Sequence, residues 1–220
     1  MSHLTSIFKI SGVMLVSITL ILALKGSAAE PAKVIVVVNL QEKDFVSRTG
    51  VLLRKRNIPV AGFDFKTAFT QELMDRLAAD KRMQYRLATA EDGIPALPIS
   101  GGRIPLPAKA YKASVPANLD ASRILRVDIE ALGASTVMGL TYYNIVGTMV
   151  MLNRQGKVLW QQRNYIGDNS MFPDWQIKVS GNVDEHQADN QKLMKENINK
   201  IIEKYCASKV DKILNKEFKD

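Results

Sequence analysis

The chain has 220 residues, 46% of them hydrophobic and 24% charged, and carries a formal net charge of +8. This length and composition suffice for one domain of ordinary size with its own core. The single cysteine, Cys206, excludes an internal disulfide, so the fold must depend on that core. We expect the Cys206 thiol to be buried rather than reactive.

The N-terminus has the three parts of a secretory signal peptide, which we predict at residues 1–29. The apolar run Ile10–Leu24 is followed by Lys25, and the small residues Ser27 and Ala29 occupy the −3 and −1 positions of a cleavage site. The run is shorter than the about 20 residues that cross a bilayer. No cysteine lies near the cleavage site, so we expect a periplasmic protein that is not lipidated. Removal of the segment leaves 28 basic and 22 acidic residues, a net charge of +6.

The first half of the remaining chain predicts a strand, a helix and a strand. The β-branched run Lys33–Leu40 is typical of a strand that is covered on both faces. The basic cluster Arg54–Arg56 is expected in a solvated loop, with an anion site as the alternative. Asp64 can cap a helix with an apolar stripe at Phe65, Phe69, Leu73 and Leu77. Alternation over Met83–Leu87 then predicts a strand with one wet face.

A long loop is predicted from residue 91 to residue 120, where five of the eight prolines lie. Prolines hold a chain extended and remove backbone donors, so such a segment loses less entropy when a partner binds it. We predict that Pro95–Pro107 is a recognition segment whose contact residues are Leu97, Ile99, Arg103, Ile104 and Leu106. A connection that is merely packed or disordered remains the alternative.

The second half predicts more strands. In Arg123–Leu132, one set of alternate residues (Leu125, Val127, Ile129 and Ala131) is expected to face the core, and the other (Ile124, Arg126, Asp128 and Glu130) to form a polar surface. A strand over about 136–152, interrupted near Gly139 or Gly147, leads into a hairpin. Its turn, Asn153–Gly156, has a glycine for the positive φ that such loops need, and its second strand is predicted over Lys157–Tyr165.

The C-terminal segment 185–218 is lysine-rich and predicted to be helical. Asp184 and Gln187 form a plausible capping box at its start. An apolar stripe is expected to pack on the sheet; it comprises Ile198, Ile202, Tyr205, Val210, Ile213 and Leu214. The lysines opposite this stripe are expected to be solvated, and a membrane or partner surface is the alternative.

Taken in this order, the elements resemble the TolB N-terminal-like and CsgG-like group of bacterial envelope proteins, and within it small envelope lipoproteins and transport-auxiliary proteins. The resemblance depends on Thr70–Leu73 before the Tyr85 strand, on RVDIEALG and on Gly156–Trp160. It implies an α+β fold, a mixed or antiparallel sheet of about five strands backed by two helices. It also implies a single domain over residues 30–220 that docks onto other envelope proteins and has no active site. Many such relatives begin with a lipidated cysteine, which this chain lacks.

Residues for chemistry are few. If residues 1–29 are removed, His186 is the one histidine left, and its acidic neighbours at a helix start predict a capping role. Asp128 and Glu130 could form an acid–base pair about 7 Å apart on a regular strand face. Gly101–Gly102 lies among prolines rather than between a strand and a helix, which argues against a phosphate loop. Scattered aromatic residues argue against a nucleic-acid partner.

The sequence therefore favours a non-enzymatic periplasmic accessory or scaffold protein of an envelope assembly or transport system, with no cofactor and no metal. Its expected partners are envelope proteins, and self-association stays open. One alternative is a periplasmic glycan or ester hydrolase that uses Asp128 and Glu130. Another is a protein that binds anionic lipid or cell-wall polymer through the C-terminal helix.

Overall fold

The computed structural model describes residues 31–40, 45–49, 54–58, 60–95, 108–113, 115–164, 177–180 and 191–218. From Ala32 onward these residues belong to one compact unit, Ala32–Asp220. The signal peptide, the contact residues of the Pro-rich segment, the Asp184 capping box and His186 lie outside the described residues. The predictions about them therefore stay predictions.

The predicted α+β fold with a mixed sheet is confirmed. The sheet contains eight described strands: β1 Ala32–Leu40, β2 Phe45–Thr49, β3 Arg54–Ile58, β4 Met83–Leu87, β5 Arg123–Val137, β6 Leu140–Asn153, β7 Val158–Asn164 and β8 Ile177–Ser180. The described α-helices are α1 Phe65–Leu77, α2 Ala108–Ala113 and α3 Gln191–Leu214, and a short 3-10 helix spans Ala90–Asp92.

Strand β5 organises the sheet. Along one edge, the first half of β5 pairs in parallel with β1, and the second half pairs in parallel with β2. Along the other edge, the whole of β5 pairs antiparallel with β6. Strand β4 lies outside β1 and strand β3 outside β2. Strands β7 and β8 pair with different halves of β6. Because β5 and β6 are both long, they form a hairpin that spans the sheet from end to end.

Helices α1 and α3 cover the first face of the sheet. Helix α1 begins where predicted, since the Asp64 carboxylate accepts a hydrogen bond from the backbone N–H of Thr67. The four residues of its predicted stripe are all buried. The α3 stripe is confirmed as well, with Ile198, Ile202, Tyr205, Val210 and Ile213 buried and Leu214 half buried against the same cluster. Cys206 is fully buried beside them, as expected. Lys209 corrects the expectation that the lysines of this helix are solvated, because it is buried with its Nζ atom 5.3 Å from the centroid of the Tyr205 ring.

The second face of the sheet is covered too, which corrects the prediction of a polar surface there. Ile35, Ile124, Val150 and Leu152 pack against Tyr111, Leu119 and Ala121 in a smaller hydrophobic cluster. Tyr111 belongs to α2, so the segment predicted to be a loop carries a helix that lies on this face. The alternation of polar and apolar residues in β5 predicts an exposed polar face, but the side chains of Arg126 and Asp128 on this face are buried.

Two boundaries differ from the sequence prediction, and a third position decides between the two glycines that the prediction offered. Arg54–Arg56 lies in strand β3 rather than in a loop. The chain turns at Met138–Gly139, so Gly139 marks the break and Gly147 lies inside β6. A Cβ at Gly147 would stand 2.7 Å from the backbone oxygen of Asp128, so a side chain there would force the strands apart. Helix α3 ends at Leu214 rather than at 218.

The predicted hairpin after Asn153 is present. Gly156 has a φ of 74° in its turn, and β7 returns along β6. Trp160 is half buried and packs against the cluster of the first face. This hairpin therefore extends the sheet, as the sequence predicted.

Candidate functional site: a buried polar row on the second face

The acid that the sequence singles out, Asp128, lies buried in the centre of the sheet with 3% of its surface exposed. Its Oδ2 atom lies 2.7 Å from Nε of Arg126, which is itself only 2% exposed. Its Oδ1 atom accepts a hydrogen bond of 2.6 Å from Nδ2 of Asn39 in β1. Both carboxylate oxygens of Asp128 are therefore occupied by donors from the protein.

Glu130, the other half of the predicted acid–base pair, falls at a β-bulge. Ile129 pairs with Gly147 and Ala131 with Val146, so Glu130 is the extra residue in β5. A bulge interrupts the two-residue alternation of a strand. The regular face that would hold Asp128 and Glu130 about 7 Å apart therefore ends before Glu130.

The register of four strands brings polar residues into one line. Asn39 in β1 pairs with Asp128 in β5, Asp128 pairs with Thr148 in β6, and Thr148 pairs with Arg163 in β7. We call these four residues the polar row. Thr148 is buried, and the Nε and Nη2 atoms of Arg163 are buried without a hydrogen bond to any described residue.

Tyr111 lies close enough to the polar row for the charges there to shift the pKa of its phenol. Burial raises the pKa of the Tyr111 phenol, and the negative charge of Asp128 raises it further, while Arg126 and Arg163 act in the opposite direction. The phenol therefore stays neutral at physiological pH. Through Tyr111, helix α2 closes this end of the second face over the buried charges.

The geometry of the polar row favours a structural role for Asp128. A general acid or base has to reach the proton that it transfers, and the Asp128 carboxylate is buried with both oxygens engaged. Burying Arg126 and Asp128 is costly unless they stay paired. Because a slip of one residue would turn them to the other face, the pair helps to define the register of β5.

Other groups with chemical potential are also held in structural roles. Burial raises the pKa of the Cys206 thiol, so little of it is present as the reactive thiolate. Within the described ranges, no group of three or more His, Cys, Asp or Glu side chains could hold a metal ion. Among the helices in those same ranges, none is both long and apolar enough to cross a membrane.

A second polar cluster, which the sequence analysis missed, holds the end of helix α3. The Asp80 carboxylate accepts hydrogen bonds from Nε of Arg82 at 3.0 Å and from the Tyr85 hydroxyl at 2.9 Å. Nη1 of Arg82 donates to the carbonyl of Lys216 at 2.9 Å, and Nη2 of Arg123 to that of Phe218 at 3.0 Å. The two hydrogen bonds to the carbonyls of Lys216 and Phe218 join residues more than 90 positions apart, so no local pattern could reveal them.

The polar row was missed for a similar reason, although part of it left a signal. Asn39 is the one polar residue between Val34 and Leu40 in an otherwise apolar run, which marks a position that needs a partner. Arg163 lies in a polar stretch, Gln161–Asn164, and carries no comparable signal. Only strand pairing brings the two residues into one row.

Comparisons with known proteins show similarity in structure at low sequence identity. A Xanthomonas campestris protein of the DUF330 family has 8% identity and a TM-score of 0.46, with 86% of this chain and 88% of that chain covered. A Helicobacter pylori protein described as a neuraminyllactose-binding hemagglutinin homolog has 10% identity and a TM-score of 0.39, covering 84% of this chain and 88% of that one. A lipoprotein from Neisseria meningitidis has 11% identity and a TM-score of 0.34, covering 84% of this chain and 100% of that one.

The sequence comparisons found nothing similar. No family model matches the chain, and no curated protein does. The similarities therefore lie among bacterial proteins of known structure, one of which is a lipoprotein.

Proposed function

We propose that the chain is a non-enzymatic accessory or scaffold protein of a bacterial envelope assembly or transport system, exported to the periplasm and acting through contacts with other proteins. The burial of Asp128 supports this proposal most. The carboxylate that the sequence offers for acid–base chemistry is paired with Arg126 and Asn39. This pairing occupies both carboxylate oxygens, which weighs against the hydrolase alternative.

The contact site that we propose is the Pro-rich segment, with Leu97, Ile99, Arg103, Ile104 and Leu106 as its contact residues. The segment leads directly into helix α2 at Ala108. Because Tyr111 of this helix is buried on the second face, the helix to which the segment is joined is held on the sheet. A segment with one fixed end loses less conformational freedom when a partner binds.

Site-specific photocrosslinking in cells tests this proposal. A photoreactive residue replaces Leu97 or Ile104 in two test variants, and the exposed Lys66 of α1 in the matched control. We expect a specific envelope protein to be captured at the two test positions and not at Lys66. Equal capture at all three positions, or at none, would contradict the proposal.

Replacement of residues 97–106 by a Gly-Ser linker of equal length tests the same segment without a probe. We expect the free energy of unfolding to stay within about 1 kcal/mol, as changes away from a core commonly leave it. Capture of the partner through a crosslinker placed elsewhere on the chain should be lost. If capture persists with the linker, the segment is only a connection.

The proposed export is tested separately. The mature protein should begin at or near Glu30 and be released by osmotic shock. Intact-mass measurement of the released protein provides the check, and a retained Met1 in the membrane fraction would contradict the prediction.

Glu130→Gln tests the hydrolase alternative, because this variant should leave cellular function unchanged if Glu130 takes no part in chemistry.

A further inference from the structure

The tip of the β5–β6 hairpin combines backbone strain with an exposed apolar side chain. Val137 pairs with Leu140, so Met138 and Gly139 form a two-residue turn in which their φ angles are 52° and 72°. Such turns favour Asn and Gly, because a Cβ is disfavoured at positive φ. Met138 nevertheless occupies the first position and is 96% exposed. Met138 is disfavoured at this positive φ and gains no packing in return, and such a combination indicates a function at that position.

Basic residues lie level with one another behind this tip. On one side of the hairpin, Arg48 of β2 lies opposite Ser135 of β5, and Lys55 of β3 lies opposite Arg48. On the other side, Tyr142 of β6 lies opposite Ser135, and Lys178 of β8 lies opposite Tyr142. We call Lys55, Arg48 and Lys178 the basic row. At about 3.3 Å per residue, the row lies about 10 Å behind Met138 along the strands.

Within the described strands at this end of the sheet, the charged residues are all basic. Arg54 lies one register step closer to the tip than Lys55, and Arg56 one step further away. None of the residues in β2, β3 and β8, or in the hairpin end 133–142, is acidic. Across five neighbouring strands about 4.8 Å apart, the basic row spans about 19 Å.

Tyr142 occupies the level of the basic row and carries an amphipathic ring. Nζ of Lys178 lies 6.0 Å from the centroid of this half-buried ring. The hairpin therefore has an apolar residue at its tip and a tyrosine about 10 Å behind it. The neighbouring strands carry lysine and arginine at the level of this tyrosine. Apolar, aromatic and basic groups follow one another in this order at the surface of a lipid bilayer.

We propose that this end of the sheet docks onto a bilayer of anionic phospholipid. Met138 enters the boundary between headgroups and acyl chains, and the strand register places the basic row at the level of the headgroups. An extended negative surface matches cations spread over about 19 Å better than a narrow protein pocket does, because each basic residue adds its attraction to the surface separately. This inference concerns a surface other than the Pro-rich segment and does not depend on the proposed function.

Co-sedimentation with vesicles tests the proposal on the full chain purified after export, with its first residue verified by intact mass. The vesicles contain phosphatidylcholine alone or phosphatidylcholine with phosphatidylglycerol. We expect binding only to the anionic vesicles, and we expect it to weaken strongly at about 0.5 M salt because charge interactions are screened. Absence of binding to anionic vesicles at low salt would overturn the proposal.

Met138→Asn tests the tip without endangering the fold. Asparagine tolerates positive φ, so the melting temperature should stay the same or rise. Binding to anionic vesicles should weaken about tenfold, because the apolar side chain that enters the bilayer is lost. Unchanged binding by a folded Met138→Asn variant would exclude insertion of the tip.

The triple variant Arg48→Gln/Lys55→Gln/Lys178→Gln tests the basic row. About a hundredfold of affinity should be lost, since each of the three basic residues near an anionic surface contributes about 1 kcal/mol. The matched control, Lys192→Gln/Lys200→Gln/Lys204→Gln, removes the same charge from exposed positions of α3 and should bind within about twofold of the wild type. If only the control loses binding, helix α3 is the lipid surface and the proposal is wrong. If the basic-row variant keeps its vesicle binding, the basic row does not contact lipid, and the proposal is again wrong.

Discussion

The two faces of the sheet are built in different ways. The first face lies under α1 and α3, and its buried residues are mainly apolar, although Asn197 and Lys209 of α3 are buried as well. The second face has a smaller apolar cluster, next to which Arg126, Asp128 and Thr148 are buried, while Asn39 and Arg163 at the ends of the polar row are half buried. Burial on the first face is encoded as a periodic apolar stripe in each helix. Burial on the second face depends on pairing between charges from different strands, which leaves no stripe to detect.

The largest effect should come from breaking the charge pair of the second face. Asp128→Ala leaves Arg126 buried without its carboxylate, and we expect a loss of about 3–5 kcal/mol in the free energy of unfolding. Denaturant unfolding measures this loss. Replacing both residues, as Arg126→Leu/Asp128→Leu, should recover a large part of it, because no unpaired charge remains. A double variant less stable than Asp128→Ala would show that the pair adds net stability.

The first face should respond to loss of volume rather than charge. Leu73 is fully buried beneath α1, and Leu73→Ala should lower the free energy of unfolding by about 3 kcal/mol through the cavity that it leaves. Lys66→Ala, on the exposed side of the same helix, is the control and should change stability by about 0.5 kcal/mol or less. Equal effects of the two variants would contradict the position of α1 on the sheet.

At the margin of the first face, Asp80 makes stability depend on pH. Burial of Asp80 opposes ionisation, but hydrogen bonds from Arg82 and Tyr85 outweigh it and hold the pKa of this carboxyl below its usual value. Its contribution is therefore present above the unfolded-state pKa of about 3.9 and is lost as the pH falls through the lower folded-state pKa. At pH 7, Asp80→Asn should cost about 2 kcal/mol.

Unfolding of the wild type and of Asp80→Asn at a series of pH values checks this prediction. The difference in stability between them should narrow as the pH falls from about 5 to about 2. Asp75→Asn on the exposed side of α1 is the control. A difference that stays constant over this range would mean that the ionised form of Asp80 is not favoured by folding.

The smallest effect is expected at the end of the sheet, which neither cluster covers. Met138→Asn should raise the free energy of unfolding by about 1 kcal/mol or less, because asparagine relieves the strain of positive φ. Thermal unfolding measures the gain. Val158→Asn, at the far end of the sheet where the side chain is half buried, should destabilise instead. A destabilised Met138→Asn variant would mean that the methionine packs against the protein.

Much of the fold could be predicted from local patterns. The stripe in α1, its cap at Asp64 and the α3 stripe follow from spacing, because each helix carries its own apolar side. The turn at Gly156 and the break at Gly139 follow from the need for positive φ. Strand β3 and helix α2 were missed, since a basic run and a stretch after prolines resemble loops.

The sequence by itself determined the α+β class, the apolar side of each long helix and the hairpin turns, because these depend on residues within a few positions of one another. The tertiary structure decided which strands are neighbours, and therefore that Asn39, Asp128, Thr148 and Arg163 share one row. It also decided that Asp128 is buried, because α2 and the residues after it cover a face whose alternation resembles a wet surface. Burial of a polar residue depends on the partners that distant segments bring to it, and a local pattern does not contain them.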